Sequence, residues 1–355
     1  MVVFFLAASM PAFVNAAGDV SRFGKPRPVE LSDIRPHLSN SDWYKEEWNF
    51  NAWTTKGEFI AVDFFITNIG IGTHKGGVKA KYIDPSGKKT SFSQELDSDE
   101  WKSSKDGFSL IFGKVTASGD LGKFHVQVNF PDLKMDLEFK NQVKPYQPGT
   151  GILRFGDEGV FIKNFPAAKA EVTGKIKLSN KTISVDAPGV IEHSATDMGP
   201  QQMGKRWFRF RDVTSEHTII FAELRTIEQW AGVRRGWVMI YDKDGKVVST
   251  SKVSFEYDGF IMDNNSKLGY KIPRRVRIAA SDGTNHLTGK LIMTGLKDVY
   301  DPTSSLNVLI RTIVRRYTKP MDYKISCKYD LRVKHGDGFK YFRGEGAYRF
   351  IYINP

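Results

Sequence analysis

The sequence predicts an all-β protein made of two antiparallel β-barrels or sandwiches in tandem, with one helix in the C-terminal half. Three observations support this fold class. The chain has 355 residues, enough for two β-domains of roughly 150 residues each. Apolar and polar residues alternate over many short segments, which is typical of half-buried strands. Turn sequences rather than helices separate these segments, which favours antiparallel meanders over a parallel sheet.

The N-terminus has features of a secretory signal. Val2 to Met10 is apolar, Pro11 interrupts the run, and Val14-Asn15-Ala16 offers a small-residue cleavage site. We therefore expect residues 1–16 to be a signal peptide and residues 17–40 an N-terminal extension. This favours a periplasmic or secreted protein, with the cytoplasm as the alternative location.

The first β-domain is predicted over residues 41–199. Phe124 to Phe130 alternates apolar and polar residues, as a strand with one wet face requires. Phe59 to Ile69 is apolar on both faces, which suggests that one side meets a core and the other a lined cavity or a second domain. Val143 to Thr150 resembles a loop, and strands return over residues 159–193.

The second β-domain is predicted over residues 200–355. Lys324 to Lys334 alternates cleanly and places Cys327 on the apolar side. Short turns that join antiparallel strands are indicated at four places. They are Asp84 to Gly87, Lys243 to Gly245, Ser281 to Gly283 and Gly336 to Gly338.

One helix is predicted at Ser304 to Tyr317, where apolar residues recur at helical spacing. Ser304 or Ser305 can cap its start, and Pro320 prevents its extension. We expect this helix to pack against a barrel. The alternative is a basic amphipathic helix that touches anionic lipid.

The formal charge of +12, from 52 Lys and Arg against 40 Asp and Glu, favours an anionic partner such as nucleic acid or a phospholipid surface and does not choose between them. Nucleic acid is not expected, because the basic residues are scattered and no recognition motif accompanies them. The single Cys327 excludes an intramolecular disulfide and the usual thiolate zinc site. The histidines are mostly isolated in sequence, so neither a metal nor another cofactor is expected.

Glu192 and His193 form the one acid-base pair that stands out, on a strand near the middle of the chain. Adjacent residues on a strand point to opposite faces, so the two enter one cavity only if a bulge intervenes. We therefore expect a structural or ligand-orienting role. If the protein is an enzyme, these two residues are the catalytic candidates.

A basic-aromatic run follows at once, in which Trp207, Arg209 and Arg211 share one face of a strand. Guanidinium groups beside an aromatic ring suit a lipid head group or a carboxylate. The alternative is an exposed face with Arg paired to Glu223 or Asp212. The predicted ligand-binding residues are Trp48, Phe50, His193, Trp207, Arg209, Glu223 and Trp230.

Several segments occur in an order that resembles a known family. They are Asp42-Trp43, Glu47 to Phe50, Ala170 to Val185, Asp197 to Pro200 leading into Arg206 to Phe210, Thr318 to Pro320, and Gly344 to Gly346. In order and wording they resemble the fungal survival-factor family and its bacterial relatives. The resemblance implies two lipocalin-type barrels in tandem. The wider group also includes carotenoid hydratase-like proteins and fungal Diels-Alder cyclases.

The resemblance implies binding of a lipid or other hydrophobic ligand, in a barrel or in the groove between domains, and a role in oxidative-stress survival. Hydratase-like members typically carry a His-Asp-His-Asn-Trp run where this chain has Val190 to Ala195. We therefore expect binding without catalysis. The alternative is a hydratase, cyclase or isomerase that acts on a polyene or terpenoid.

Overall fold

The computed structural model describes residues 18–70, 72–263, 268–305 and 308–354. In this part of the chain almost all regular structure is antiparallel strand, arranged as two nearly closed barrels with two short helices. The predicted fold class is therefore confirmed. The signal peptide predicted for residues 1–16 lies outside the described residues.

The first barrel is built from the strands that precede residue 197. They are β1 (Lys45–Trp53), β2 (Phe59–Thr67), β3 (Lys75–Ile83), β4 (Lys89–Leu96), β5 (Trp101–Ser103), β6 (Phe108–Phe112), β7 (Val115–Gly119), β8 (Lys123–Asn129), β9 (Leu133–Asn141), β10 (Ile152–Phe155), β11 (Gly159–Leu178) and β12 (Lys181–Thr196).

The second barrel and a small separate ribbon use the remaining strands. They are β13 (Gly204–Val213), β14 (His217–Thr226), β15 (Arg234–Asp242), β16 (Gly245–Thr250), β17 (Val253–Asp258), β18 (Ile261–Met262), β19 (Lys271–Ile272), β20 (Arg275–Ser281), β21 (His286–Tyr300), β22 (Met321–His335) and β23 (Gly338–Tyr352). The ribbon is β18 paired with β19.

The two barrels share one connection scheme. In the first sheet the order is β4-β3-β2-β1-β12-β11-β9-β8-β7-β6-β5, with β10 added beside β11. In the second sheet it is β16-β15-β14-β13-β23-β22-β21-β20-β17. In both, the first strand pairs with the last, so the chain enters and leaves each barrel at neighbouring strands. All four predicted turns lie between sequential strands.

The helices are α1 (Pro200–Met203) and α2 (Val308–Tyr317), and short 3₁₀ turns occur at Leu31–Asp33, Glu228–Trp230 and Pro302–Ser305. The predicted helix is thus present, but it starts at Val308 instead of Ser304, and Ser304 lies in the preceding 3₁₀ turn. None of the helices in the described part of the chain is long and apolar enough to cross a bilayer.

Strand β11 is irregular near its middle. The pairing of β11 with β12 shifts register between Asn164 and Ala167 and again between Ala167 and Ala170, around Pro166. Proline has no N–H for the ladder and is tolerated at such irregularities. The N-terminal part of β11 therefore pairs with β10, while the C-terminal part pairs with β9. Lys163 and Asn164 lie just before the bend.

Each barrel is filled by its own side chains. Phe50 is fully buried in the first barrel, with ring centroids 5.9 Å from Phe64 and 5.6 Å from Phe139. The second barrel packs Phe208 and Phe210 with Cys327 and other buried residues. The alternation of apolar and polar residues along these strands explains both cores, because every second side chain points inward.

The segment before β1 closes one side of the first core. Val29 and Ile34 are buried there, and the indole Nε1 of Trp48 donates a hydrogen bond of 2.7 Å to the carbonyl of Ile34. The amide of Asn164 donates to the carbonyl of Asp33 at 2.7 Å. These contacts hold the extension next to β1 and β11.

Candidate functional site

The two barrels meet through their outer faces, and this contact has an apolar core of its own. Phe161, Phe165 and Val190 of the first barrel pack with Trp207 and Trp237 of the second. The ring centroids of Phe161 and Trp207 are 5.5 Å apart. Apolar residues on the outside of a barrel are explained only by a partner surface, and here the partner is the other barrel.

A cluster of acidic and basic side chains lies beside this apolar core. Glu192 of β12 accepts a hydrogen bond of 2.7 Å from the ammonium of Lys163 and forms an ion pair with the guanidinium of Arg211. The side chains of Lys163 and Glu192 are 8% and 12% exposed, whereas that of Arg211 is 34% exposed. The cluster therefore joins both barrels and leaves Arg211 accessible to water. We call this region the interbarrel cleft.

Aromatic rings form the adjoining wall of the cleft. Trp53 and Phe59 lie with centroids 5.3 Å apart on the outer face of β1 and β2. The guanidinium of Arg211 lies 5.5 Å from the Trp53 centroid, and the ammonium of Lys81 lies 5.0 Å from that of Phe59. Both rings are partly exposed. The wall thus offers flat apolar surface with cations along it.

Arg209 is a cation of the cleft that forms no ion pair with a described carboxylate. Its guanidinium lies 5.2 Å from the Trp207 ring, and its side chain is exposed. Among the described residues no carboxylate comes within 4 Å of it, while Arg349 on the neighbouring strand is paired to Asp322. Arg209 and Arg211 are two positions apart on β13, so their side chains emerge about 7 Å apart on one face.

The electrostatics of the cleft reflect crowded positive charge. Burial, and to a smaller extent Arg349, lower the pKa of Arg211 to about 10 against an opposing effect of Asp63. Burial also lowers the pKa of Lys163 well below its usual value, and Arg209 and Arg211 add to that effect. An anion placed among these groups would relieve their mutual repulsion.

A second polar centre lies inside the first barrel, around the carboxylate of Glu46. This side chain is completely buried, yet its Oε1 accepts from His193 Nε2 at 2.6 Å and from His37 Nδ1 at 2.9 Å. Its Oε2 accepts from the Tyr44 hydroxyl at 2.6 Å and from the backbone N–H of His37 at 2.7 Å. Burial raises the pKa of Glu46, but the hydrogen bonds from His193 and His37 outweigh it and hold the value at about 2.

The hydrogen bonds also fix the protonation of His193. The amide Nδ2 of Asn164 donates to His193 Nδ1 at 3.1 Å, so the ring proton is on Nε2, where it faces Glu46. Burial lowers the pKa of His193, and the hydrogen bond to Glu46 raises it in part. The pair is therefore an ionised Glu46 and a neutral His193.

His37, Glu46 and His193 each place a ligand atom within 4.8 Å of the others, the donor set of a metal site. A metal on Nε2 of His193 would require a proton on Nδ1, where the Asn164 amide already donates. The donors of Asn164 are held in this orientation by the carbonyl of Asp33. The arrangement fits a hydrogen-bonded buried carboxylate better than a metal ion.

The structure separates Glu192 from His193. Glu192 points into the interbarrel cleft, and His193 points into the first barrel with its side chain fully buried. No bulge brings them to one face, because β12 pairs in continuous register with β1 across these positions. Their side chains point to opposite faces of β12, as the strand geometry predicted.

The residues predicted to bind a ligand do not form one site. Trp48 stacks on His193 inside the first barrel at 5.1 Å between centroids, and Phe50 is in the same core. Glu223 is buried in the second barrel, where it pairs with Arg206 at 3.1 Å and accepts from the Tyr257 hydroxyl at 2.9 Å.

Three predicted residues lie at the junction of the barrels. Trp207 and Trp230 are buried in the interbarrel core, and the indole of Trp230 donates to the carbonyl of Gln202 at 2.8 Å. Arg209 alone reaches the cleft with an accessible charged group. The proposed pairing of the Arg209 and Arg211 face with Glu223 or Asp212 is not what the structure has, since Arg211 pairs with Glu192.

Sequence reasoning missed Lys163, Trp53 and Lys81 as cleft residues. Their signal was present in part, because Phe59 to Ile69 is apolar on both faces and so predicted a second contact surface. Lys163 has no such signal, since its position depends on the bend of β11.

Solved structures of the same fold cover nearly the whole chain. An AttH-like protein from Nitrosomonas europaea is 11% identical, covers 93% of this chain and 98% of its own, and superposes with a TM-score of 0.54. CghA, solved with Sch210972, is 12% identical, with 96% and 99% coverage and a TM-score of 0.58. Kievitone hydratase from Nectria haematococca is 12% identical, with 95% and 98% coverage and a TM-score of 0.52.

At such identities the likeness shows the fold alone, a tandem lipocalin-like architecture. No curated protein matches the chain in sequence. The model of the Svf1 family, the survival factor 1 family, matches residues 42–347, which include both barrels. The chain therefore belongs to the Svf1 family.

Proposed function

We propose that the protein binds an amphipathic anion in the interbarrel cleft without chemical turnover. Its apolar body would lie along Trp53 and Phe59, and its carboxylate or phosphate would face Arg209 and Arg211. The observation that carries the proposal is Arg209, an exposed guanidinium beside aromatic rings with no carboxylate within 4 Å among the described residues.

The packing of the barrels supports the cleft over their interiors. The first barrel is filled by buried rings such as Phe50, Phe64 and Phe139, so a ligand inside it would have to displace them. In the cleft, burying about 300 Å² of aliphatic surface would supply about 7 kcal/mol before ordering costs. A charge-assisted hydrogen bond to a guanidinium would add specificity for an anion.

Oleate and the neutral oleyl alcohol are the probes that separate these contributions. Binding measured by titration calorimetry should weaken roughly tenfold for oleate in Arg209→Gln, because one charged hydrogen bond is lost. Binding of oleyl alcohol should be unchanged. Arg154→Gln removes an exposed arginine from β10 of the first barrel and is the matched control.

Two results would contradict the proposal. One is an oleate affinity that is equal in Arg209→Gln, Arg154→Gln and the unaltered protein. The other is native mass spectrometry that finds no retained apolar molecule after exposure to lipid extracts.

A second candidate is a hydratase, cyclase or isomerase that acts on a polyene or terpenoid in the same cleft. The observation that favours it is the Lys163 and Glu192 pair, a buried acid-base contact with a strongly lowered lysine pKa. Its test is whether bound polyene is recovered unchanged after incubation. A product that the unaltered protein forms and the Lys163→Met variant does not form would favour catalysis over binding.

A further inference from the structure

The net positive charge of the chain lies entirely in its second half. Residues 200–355 contain 28 Lys and Arg against 16 Asp and Glu, whereas residues 1–199 contain 24 of each. The whole net charge of +12 therefore belongs to the second barrel and its connections. Such asymmetry between two domains of one fold indicates a directed interaction with an anionic partner.

Much of this charge is on the outer face of β20 to β23. In the register of these strands, Arg277, Lys290, Asp330 and Arg343 form one row across the sheet. The next two rows are Thr288, Arg332, Tyr341, then His286, Lys334, Phe339. All but Asp330, which is half-buried, are exposed, and Leu287, Leu331, Val333 and Phe342 between them are buried in the core.

Acidic neighbours compensate only part of this surface. Arg277 pairs with Asp258 at 2.9 Å, and Arg343 donates to Asp330 at 3.0 Å. For Lys290 and Arg332, no carboxylate lies within 4 Å among the residues that the structure describes. A shallow depression of about 320 Å³ opens between these two side chains and Tyr341.

Two aromatic rings are exposed at one end of the same face. Phe339 is 45% and Tyr341 is 55% exposed, and both follow the tight turn at Gly336 between β22 and β23. The guanidinium of Arg332 lies 3.6 Å from the Phe339 centroid, and that of Arg343 lies 5.6 Å from the Tyr341 centroid. Aromatic rings flanked by basic residues are typical of protein surfaces at the headgroup level of a membrane.

We propose that the outer face of β20 to β23 docks on a bilayer that contains anionic phospholipid. Four neighbouring strands spread the cations over a width of about 15 Å. A bilayer offers negative charge over a plane, which matches this spread better than the narrow track of a nucleic-acid backbone. The exposed rings at the hairpin then lie where they can enter the interface. The site is independent of the interbarrel cleft.

Helix α2, expected above to be the alternative lipid contact, is less suited. Its Arg311 pairs with Asp301 at 3.4 Å, and Arg315 pairs with the same carboxylate. These two cations share one carboxylate, so half of their charge is already compensated. On the sheet face Lys290, Arg332 and Lys334 have no carboxylate within 4 Å among the described residues.

The test is sedimentation of the full chain with phosphatidylcholine vesicles that contain about one third phosphatidylserine, an anionic lipid that attracts cations near the surface. The variant Lys290→Gln/Arg332→Gln should bind about 25-fold more weakly, since each cation near such a surface contributes about fivefold. Phe339→Ser/Tyr341→Ser should also lose binding. Lys134→Gln/Lys140→Gln removes the same charge from the outer face of β9 and should bind as the unaltered chain does.

Thermal unfolding of each variant checks that the fold is retained. We expect it to be, because the substituted positions are exposed. Binding should vanish on pure phosphatidylcholine and fall as salt is raised. Equal binding by Lys290→Gln/Arg332→Gln and by the control Lys134→Gln/Lys140→Gln would overturn the proposal. So would RNA that binds tighter than the vesicles at 150 mM salt and depends on Lys290 and Arg332, because the face would then be a nucleic-acid surface.

Discussion

The buried carboxylate of Glu46 should hold much of the stability of the first barrel, and Glu46→Gln tests this. Glutamine has the same shape, but one of its two terminal atoms becomes a donor. Wherever that NH₂ lies, it faces a group that donates, either His193 Nε2 or the backbone N–H of His37. His193 cannot shift its proton to Nδ1, because Asn164 donates there. A buried donor pair without an acceptor is the expected result.

The size of the loss follows from the pKa. A carboxyl that titrates at about 2 in the fold and at 4.5 in the unfolded chain contributes about 3 kcal/mol to the free energy of unfolding. Because the folded pKa is the lower one, this contribution is complete above pH 4.5 and is lost as the pH falls towards 2. The difference between the two proteins should therefore be on the order of 3 kcal/mol at pH 7.5 and should become smaller as the pH falls to 3.5.

Urea unfolding followed by tryptophan fluorescence at these two pH values measures the difference. Glu138→Gln is the control, since Glu138 makes an exposed pair with Lys123 at 3.1 Å and should change the free energy of unfolding by less than about 0.5 kcal/mol. A Glu46→Gln protein as stable as the control, or a difference that does not change with pH, would refute the assignment of an ionised Glu46.

Other expected outcomes follow from the same structure. Cys327 is buried and its thiol pKa is raised to about 12 by burial and by Asp212, so iodoacetamide at pH 8 should leave the native protein unmodified and label it fully in guanidinium, as mass spectrometry would show. Phe50→Ala should cost about 3–5 kcal/mol of unfolding free energy, whereas Ile111→Ala at a 44% exposed position should cost less than about 1. Arg206→Met should cost about 3–5 kcal/mol by leaving Glu223 unpaired, and Arg206→Met/Glu223→Leu should recover part of it; a double variant no more stable than the single one would contradict the pairing. Burial lowers the pKa of His193, so below about pH 6.5 the unfolded chain binds a proton on this side chain that the folded protein does not bind. The free energy of unfolding should therefore decline from pH 7 to pH 5, and the decline should be smaller in His193→Gln.

The fold could be predicted because its signals are local. Alternation in Phe124 to Phe130 and in Lys324 to Lys334 places every second side chain in a core, and the structure buries those side chains. Turn chemistry at Asp84 to Gly87 and Gly336 to Gly338 then fixes which strands are neighbours. Each inference needs fewer than a dozen residues, so the sequence suffices for it.

The candidate site depends on contacts between distant strands, which alternation cannot supply. Arg211 and Glu192 are nineteen positions apart and belong to different barrels, and Lys163 pairs with Glu192 just before the register shift of β11 around Pro166. Aromatic residues such as Trp48 and Phe50 were predicted to line a cavity, but a ring on a strand fills a core as readily as it lines a pocket. The distinction is made by packing, which a single sequence does not record.

The separation of Glu192 and His193 shows how one strand serves two purposes. Because β12 pairs with β1 without a break in register, one residue must face the first barrel and the next must face its partner barrel. His193 thereby completes the hydrogen bonds of a buried carboxylate and stabilises the barrel, while Glu192 holds Lys163 and Arg211 at the cleft wall. Shifting β12 by one position would exchange these roles and bury an unpaired charge in each place. The register of a single strand pair therefore couples the stability of the first barrel to the arrangement of charge in the cleft.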